Sequence, residues 1–242
     1  MIEIIAHRGF SAIAPENTLA AFDLAIKQGA NSIEFDVQLS ADGVPVIFHD
    51  VTLDRITKTS GKVRDKTLEE LKMLDVGTWF SDRFSGERIP TLQAALGILK
   101  NLDKFLYFDI KPHCDWSNSE IEAFVNTLIV EQVNEKSVIT SFNDKFLEQL
   151  RQVSRDLLIG HIVANESDYK AKLAKAVADG DRLISAQYHV LLENPLLVEI
   201  SRNQGVDIVA WTVDSREDLL KLVDIGVVRI VTNSLIGNAI KL

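Results

Sequence analysis

The feature that most constrains this chain is a repeated alternation, in which short apolar runs of β-forming residues are each followed by a stretch of helical periodicity. The β-rich runs fall at Ile2–Ala6, Ser32–Val37, Phe105–Ile110, Ser137–Thr140, Leu157–Ile162, Leu183–Ala186, Val206–Trp211 and Val228–Val231. Between them, Leu19–Lys27, Leu92–Leu99, Ile121–Val130, Lys145–Val153, Asp168–Ala178, Leu196–Arg202 and Arg216–Val223 carry the helical pattern. Thr91 and Asp214/Ser215 supply helix starts, and Gly29, Gly180, Gly205 and Gly226 supply stops before the next strand. Eight strands with intervening helices in 242 residues predict an α/β fold of the TIM type, a (β/α)₈ barrel. A doubly wound open sheet is the alternative, but no glycine-rich phosphate turn follows the first strand.

One segment breaks the rhythm. Over fifty residues separate the second strand from the Leu92 helix, far more than a βα loop needs. The segment opens with the apolar run Val44–Phe48, turns rich in Thr, Asp, Lys and Gly, and carries Trp79, Phe80 and Phe84. It predicts a small insertion between strand 2 and helix 2, with residues 50–90 over the barrel mouth, inside one domain spanning 1–242.

Composition narrows the function. A formal charge of −9 leaves no basic excess for a general nucleic-acid binder, although a metal and a few placed cations can still reverse the field within one site. The single cysteine, Cys114, can form no intramolecular disulfide, and no apolar span of membrane length is present. A cytoplasmic protein with no stable membrane insertion is expected, and homodimerisation stays open.

In such a barrel the chemistry sits at the C-terminal strand ends. These read His7-Arg8, Glu34-Phe35-Asp36, Asp109-Ile110-Lys111, Ser141, His161, Gln187 with His189, Trp211 and Asn233. Glu34 and Asp36 are two apart on one strand, so their carboxylates share a face while Ile33, Phe35 and Val37 take the other. Asp109 and Lys111 repeat the spacing on the next strand. Three carboxylates from adjacent strands make an all-oxygen site suited to a hard divalent cation, Mg²⁺ or Ca²⁺. His7 and His49 flank the pair and could serve as proton acceptor and donor in one displacement. Arg8 and Lys111 are the cations available for a phosphate, and a salt bridge from Arg8 to Glu16 is compatible with that role.

The ordered fragments His7-Arg8-Gly9, Pro15-Glu16-Asn17-Thr18, Glu34-Phe35-Asp36-Val37, Asp42-Gly43-Val44-Pro45-Val46 and His49-Asp50 resemble the glycerophosphodiester phosphodiesterases. The likeness continues through Arg88-Ile89-Pro90-Thr91-Leu92, Asp109-Ile110-Lys111-Pro112, Ser141-Phe142, Trp211-Thr212-Val213 and Thr232-Asn233, and so covers nearly the whole chain. The resemblance implies metal-dependent hydrolysis of deacylated phospholipid diesters to sn-glycerol 3-phosphate and an alcohol. It implies His7 and His49 as the acid–base pair, Glu34, Asp36 and Asp109 as metal ligands, and Arg8, Lys111, Glu16 and Trp211 as substrate-binding residues. The attacking group would be the neighbouring glycerol hydroxyl, giving a cyclic phosphate, or water. Two positions depart from the family's habit: Asp109 stands where glutamate is common, and Asn233 where aspartate is frequent. Rival readings are a phospholipase on intact lipids, a sugar-phosphate isomerase or aldolase, and a catalytically inert barrel used for binding.

Overall fold

The computed structural model describes residues 2–234. In chain order the elements are β1 (Glu3–His7), α1 (Leu19–Lys27), β2 (Ser32–Leu39), β3 (Pro45–Ile47), α2 (Leu68–Lys72), α3 (Leu92–Leu99), β4 (Leu106–Ile110), α4 (Asn118–Val130) and β5 (Ser137–Ser141). They continue with α5 (Asp144–Val153), β6 (Leu158–Val163), α6 (Glu166–Asp179), β7 (Leu183–Gln187), α7 (Tyr188–Glu193), α8 (Leu196–Asn203), β8 (Asp207–Trp211), α9 (Arg216–Asp224) and β9 (Arg229–Thr232).

Every strand except β3 runs parallel to its neighbours, in the order β1-β9-β8-β7-β6-β5-β4-β2, and β2 returns to β1. The ring is closed: this is a TIM barrel, and the open-sheet alternative is excluded. All eight anticipated strands form. The sequence pattern gave no warning of α7, which starts directly after β7, nor of α2, which lies within the insertion.

Side-chain parity divides the barrel. The face of β2 turned to the helices presents Ile33, Phe35 and Val37 to the main core. There a chain of ring contacts, Phe22–Phe35 at 5.7 Å, Phe35–Phe108 at 4.7 Å and Phe108–Phe124 at 5.8 Å, ties α1 to β2, β4 and α4. The barrel interior is filled by Ile5, Tyr107, Val138, Leu183, Val209 and Val231. One step of two residues further along their strands come His7, Asp109, Thr140, Ser185 and Trp211, which line the cavity above that apolar floor. The register pairs His7 with Glu34 and Asp36 with Asp109, so the polar layer is a direct product of strand phase.

The same phase corrects three rim assignments. His161 has the outward parity of β6, and its ring is wholly buried between Asp144 (3.2 Å) and Asp181 (2.8 Å). Ser141 is likewise buried, donating from Oγ to the Ile110 carbonyl at 2.6 Å and capping the turn at Asn143. His189 lies exposed on α7, stacked on Tyr188 at 3.9 Å. None of the three lines the central cavity.

The segment between β3 and α3 has an apolar centre of its own, formed by Phe48, Leu53, Ile56, Val63, Leu71, Val76 and Ile89 together with Val46. Its short helix α2 is closed by a capping box between Thr67 and Glu70.

The turn after β1 packs closely against α1. Arg8 (φ 54°) and Gly9 (φ 81°) are both left-handed, and a Cβ on Gly9 would lie 2.7 Å from the Ala21 carbonyl carbon of α1. Gly9→Ala should therefore lose about 2–4 kcal/mol, combining backbone strain with overpacking. Urea denaturation of the two proteins measures it, and an unchanged midpoint would refute the close-approach account.

Candidate active site

The left-handed turn folds Arg8 back over the carboxylates. Its backbone N–H donates to Glu34 Oε2 at 3.1 Å, its Nη1 donates to Glu16 Oε1 at 2.7 Å, and its Nε lies 3.1 Å from Asp36 Oδ2. That last contact is an ion pair with poor hydrogen-bond geometry, so the buried Nε–H keeps no accepting partner. Asn17, also left-handed at φ 58°, donates from Nδ2 to Asp36 Oδ2 at 2.7 Å.

Glu34, Asp36 and Asp109 converge, with one oxygen of each inside a 4.8 Å span. Lys111 bridges two of them, its Nζ 3.0 Å from Asp36 Oδ1 and 3.0 Å from Asp109 Oδ2. Electrostatics splits the three. Burial and the neighbouring Asp36 and Asp109 charges push the Glu34 carboxyl well above its ordinary range, against the opposing pull of Arg8 and Lys111. Burial acts upward on Asp36 too, but Lys111, Arg8, His49 and the Asn17 amide outweigh it and hold Asp36 far below the usual carboxylate value. Asp109 is raised, with burial again the largest cause and Lys111 opposing it. Two cations thus face three carboxylates, and the upward push on Glu34 and Asp109 reflects that imbalance. Asp109 Oδ1 is buried with no hydrogen-bond partner. An all-carboxylate donor set with one oxygen unclaimed fits a hard divalent cation.

The two histidines are held by different kinds of partner. His7 Nδ1 lies 2.7 Å from Asn233 Oδ1, which also accepts from Ser11 Oγ at 2.7 Å. Asn233 cannot be turned over, because its Nδ2 donates to Asp214 Oδ2 at 2.5 Å. His7 is therefore an Nδ1–H tautomer, with the lone pair of Nε2 on the carboxylate side, 3.9 Å from Glu34. Burial, with help from Arg8, lowers the His7 pKa to about 4, despite the Asn233 hydrogen bond and the charges of Asp36 and Glu16. The charge expected at position 233 is not lost from this neighbourhood but carried by Asp214. His49 instead has an anion on Nδ1, Asp50 Oδ1 at 2.6 Å. Asp50 is kept ionised because hydrogen bonds from Arg55 and His49 overcome its burial.

These groups line one cavity of ≈150 Å³, its far wall formed by Thr140, Phe142, Ile162, Ser185 and Trp211. Phe142 and Trp211 meet edge to face at 6.2 Å, and the buried Trp211 Nε1–H has no acceptor. A larger surface groove of ≈770 Å³ beside α5 and α6 is lined by the ion pairs Arg151–Asp181, Lys175–Glu148 and Lys175–Asp179 among other charged and apolar side chains, and it shares no residue with the central cavity.

The structure brings together His7, Arg8, Glu34, Asp36, His49, Asp109, Lys111 and Trp211. Glu16 sits behind Arg8 rather than in the lining. Sequence reasoning gave no role to Asn17, although it stands in a quoted motif, nor to Asp50 beyond its place beside His49. Asp214 was legible only as a helix start. Nothing local marks Arg55, whose partner Glu16 lies 39 positions away.

A barrel that gathers histidines, cations and an acidic cluster in one cavity has the make-up of a phosphate-ester enzyme. The sequence matches the profile of the Glycerophosphoryl diester phosphodiesterase family over residues 7–236, and the chain belongs to that family. It is thereby an enzyme, a phosphodiester hydrolase. Among its relatives is a glycerophosphodiester phosphodiesterase of Caldanaerobacter subterraneus subsp. tengcongensis, 37% identical over 95% of this chain and 93% of the relative. A putative glycerophosphodiester phosphodiesterase of Bacillus subtilis is 38% identical over the same shares, 95% and 93%. Among solved structures, an Oleispira antarctica phosphodiesterase in complex with the product sn-glycerol-3-phosphate superposes with a TM-score of 0.87 at 31% identity, covering 96% of this chain and 92% of that one.

In the metal-free protein the His7 imidazole should stay neutral until the pH falls to about 4. Because the unfolded ring takes its proton near 6.5, the stability His7 contributes is present above that pH and lost as pH falls towards 4. A ¹H–¹⁵N titration of the ring in EDTA checks this, and a midpoint at or above 6.5 would contradict it.

Proposed function

We propose that this chain hydrolyses glycerophosphodiesters to sn-glycerol 3-phosphate and an alcohol, with His7 and His49 moving the protons and Glu34, Asp36 and Asp109 holding a divalent cation, Mg²⁺ or Ca²⁺. The observation that carries the reading is a coincidence of unmet hydrogen bonds. Among the described residues four buried side-chain polar atoms lack a partner, and three of them, Arg8 Nε, Asp109 Oδ1 and Trp211 Nε1, belong to residues lining the same small cavity. Two orphan donors beside an orphan carboxylate oxygen are what an anionic ester and a cation would complete. A cation bound by the carboxylates would supply electrophilic stabilisation of charge on the phosphate.

The protein's own groups divide the remaining work. Arg8 and Lys111 offset the phosphate charge, and the unpaired N–H groups of Arg8 and Trp211 fix its orientation. His7, neutral and with Nε2 unprotonated, is placed to accept the proton of the attacking hydroxyl. His49, backed by the anionic Asp50, is placed to carry a proton to the leaving alkoxide. Glu16 holds Arg8 from behind. In this reading residues 50–90 lie over the barrel mouth, a placement supported by Arg55 reaching Glu16 across it.

The test is a coupled assay for glycerol 3-phosphate released from several glycerophosphodiesters, before and after EDTA and with Mg²⁺ or Ca²⁺ restored. Activity should vanish on chelation and return with the metal; chelation-resistant turnover would sink the metal assignment. His7→Ala and His49→Ala should each lose at least about 100-fold in kcat, with metal affinity measured by calorimetry largely retained. Trp211→Phe keeps an aromatic ring but removes the indole N–H and its smaller ring, and should lower kcat/KM by about 3–10-fold; a wild-type value would remove Trp211 from the substrate contacts.

A further inference from the structure

Arg55 belongs to none of the roles above, yet its contacts are the most fully used of any cation at the site. Its Nε and Nη2 donate to Asp50 at 2.6 and 3.1 Å, and its Nη1 and Nη2 donate to Glu16 at 2.9 and 2.7 Å. The guanidinium is therefore bidentate on two carboxylates at once. One of these, Asp50, holds His49; the other, Glu16, holds Arg8.

An exposed ion pair contributes little to stability, about 0–1 kcal/mol, and the Arg55 side chain is 44% exposed. Stability alone does not account for the arrangement; orientation does. His7 is fixed by its place in β1, but His49 lies beyond the end of β3, in irregular chain, with its side chain 34% exposed. No strand sets its direction. The Asp50–Arg55–Glu16 connection supplies what the backbone there lacks, and it anchors His49 to the turn after β1 that carries the other half of the site.

We infer that Arg55 is a positioning residue, which sets His49 through Asp50 and Arg8 through Glu16 and so keeps the two sides of the reaction centre in register. The inference rests on the proposed phosphodiesterase function for its kinetic test, but not for its structural one. The guanidinium lies 5.9 Å from the Trp79 ring and forms part of the wall of a second cavity of ≈460 Å³ that includes Thr78 and Met73. A small cation in solvent can therefore reach its place.

The experiment compares Arg55→Ala and Arg55→Lys with the wild type in the metal-loaded protein. Arg55→Ala should fold normally by circular dichroism and thermal denaturation while kcat falls by about 10–100-fold, the effect of misplacing a supported catalytic group. Arg55→Lys should recover little, because a point charge cannot serve two carboxylates bidentately. Millimolar guanidinium should restore several-fold activity to Arg55→Ala and none to the wild type or the lysine variant. Independently of turnover, ¹⁵N spectra of the His49 ring without substrate should show one Nδ1–H tautomer in the wild type and a mixture in Arg55→Ala. Kcat within about twofold of wild type, or loss without guanidinium rescue and with an unaltered His49 ring, would overturn the inference. A wild type that releases no glycerol 3-phosphate while the His49 spectra still respond would instead count against the proposed function and leave the positioning role standing.

Discussion

The organising constraint is the burial of carboxylates on adjacent parallel strands. Asp36 is 1% exposed and Glu34 8%, and the strand register sets Asp109 directly beside Asp36. Charges so placed cost several kcal/mol each unless paired. The sequence answers within a few positions of each acid. Lys111 follows Asp109 by two residues and so returns to the same face. Arg8, thrown into the left-handed region, turns back onto Asp36 and Glu34. Gly9 must then lie against Ala21, and Asn17 must come round to Asp36. The local geometry of the first forty residues is thus largely the consequence of keeping one carboxylate ionised out of water.

That dependence explains what could be read in advance. Strand phase is visible in sequence, because Glu34/Asp36 and Asp109/Lys111 repeat the two-residue period and their apolar neighbours mark the opposite face. The eight strands and the inward carboxylates follow from it. His161 shows the limit: it too closes an apolar run, but one step of phase places it outside the ring, against Asp181. Helix α7 was illegible because Tyr188–Glu193 is too short to show a period beyond one and a half turns. Contacts such as Arg55 to Glu16 and His7 to Asn233, the latter 226 positions apart, leave no local trace, since the folding of the insertion brings the first together and closure of the barrel the second.

The histidines illustrate how outer partners differentiate like groups. Each is hydrogen-bonded at Nδ1, one by an amide oxygen and the other by a carboxylate. At His7 burial outweighs the amide hydrogen bond and lowers the ring's pKa, whereas at His49 the carboxylate serves to hold the ring at Nδ1. Asn233 is suited to its place because Asp214 is beside it: an amide can donate to that carboxylate while accepting from His7, whereas a second carboxylate would meet it with like charge.

The aromatic contact between Phe142 and Trp211 reaches from the end of β5 to the end of β8, across the two strands between them. It forms part of the far wall of the central cavity. Two rings that touch across two intervening strands couple the ends of β5 and β8, so a change of side chain at Phe142 would be felt at Trp211.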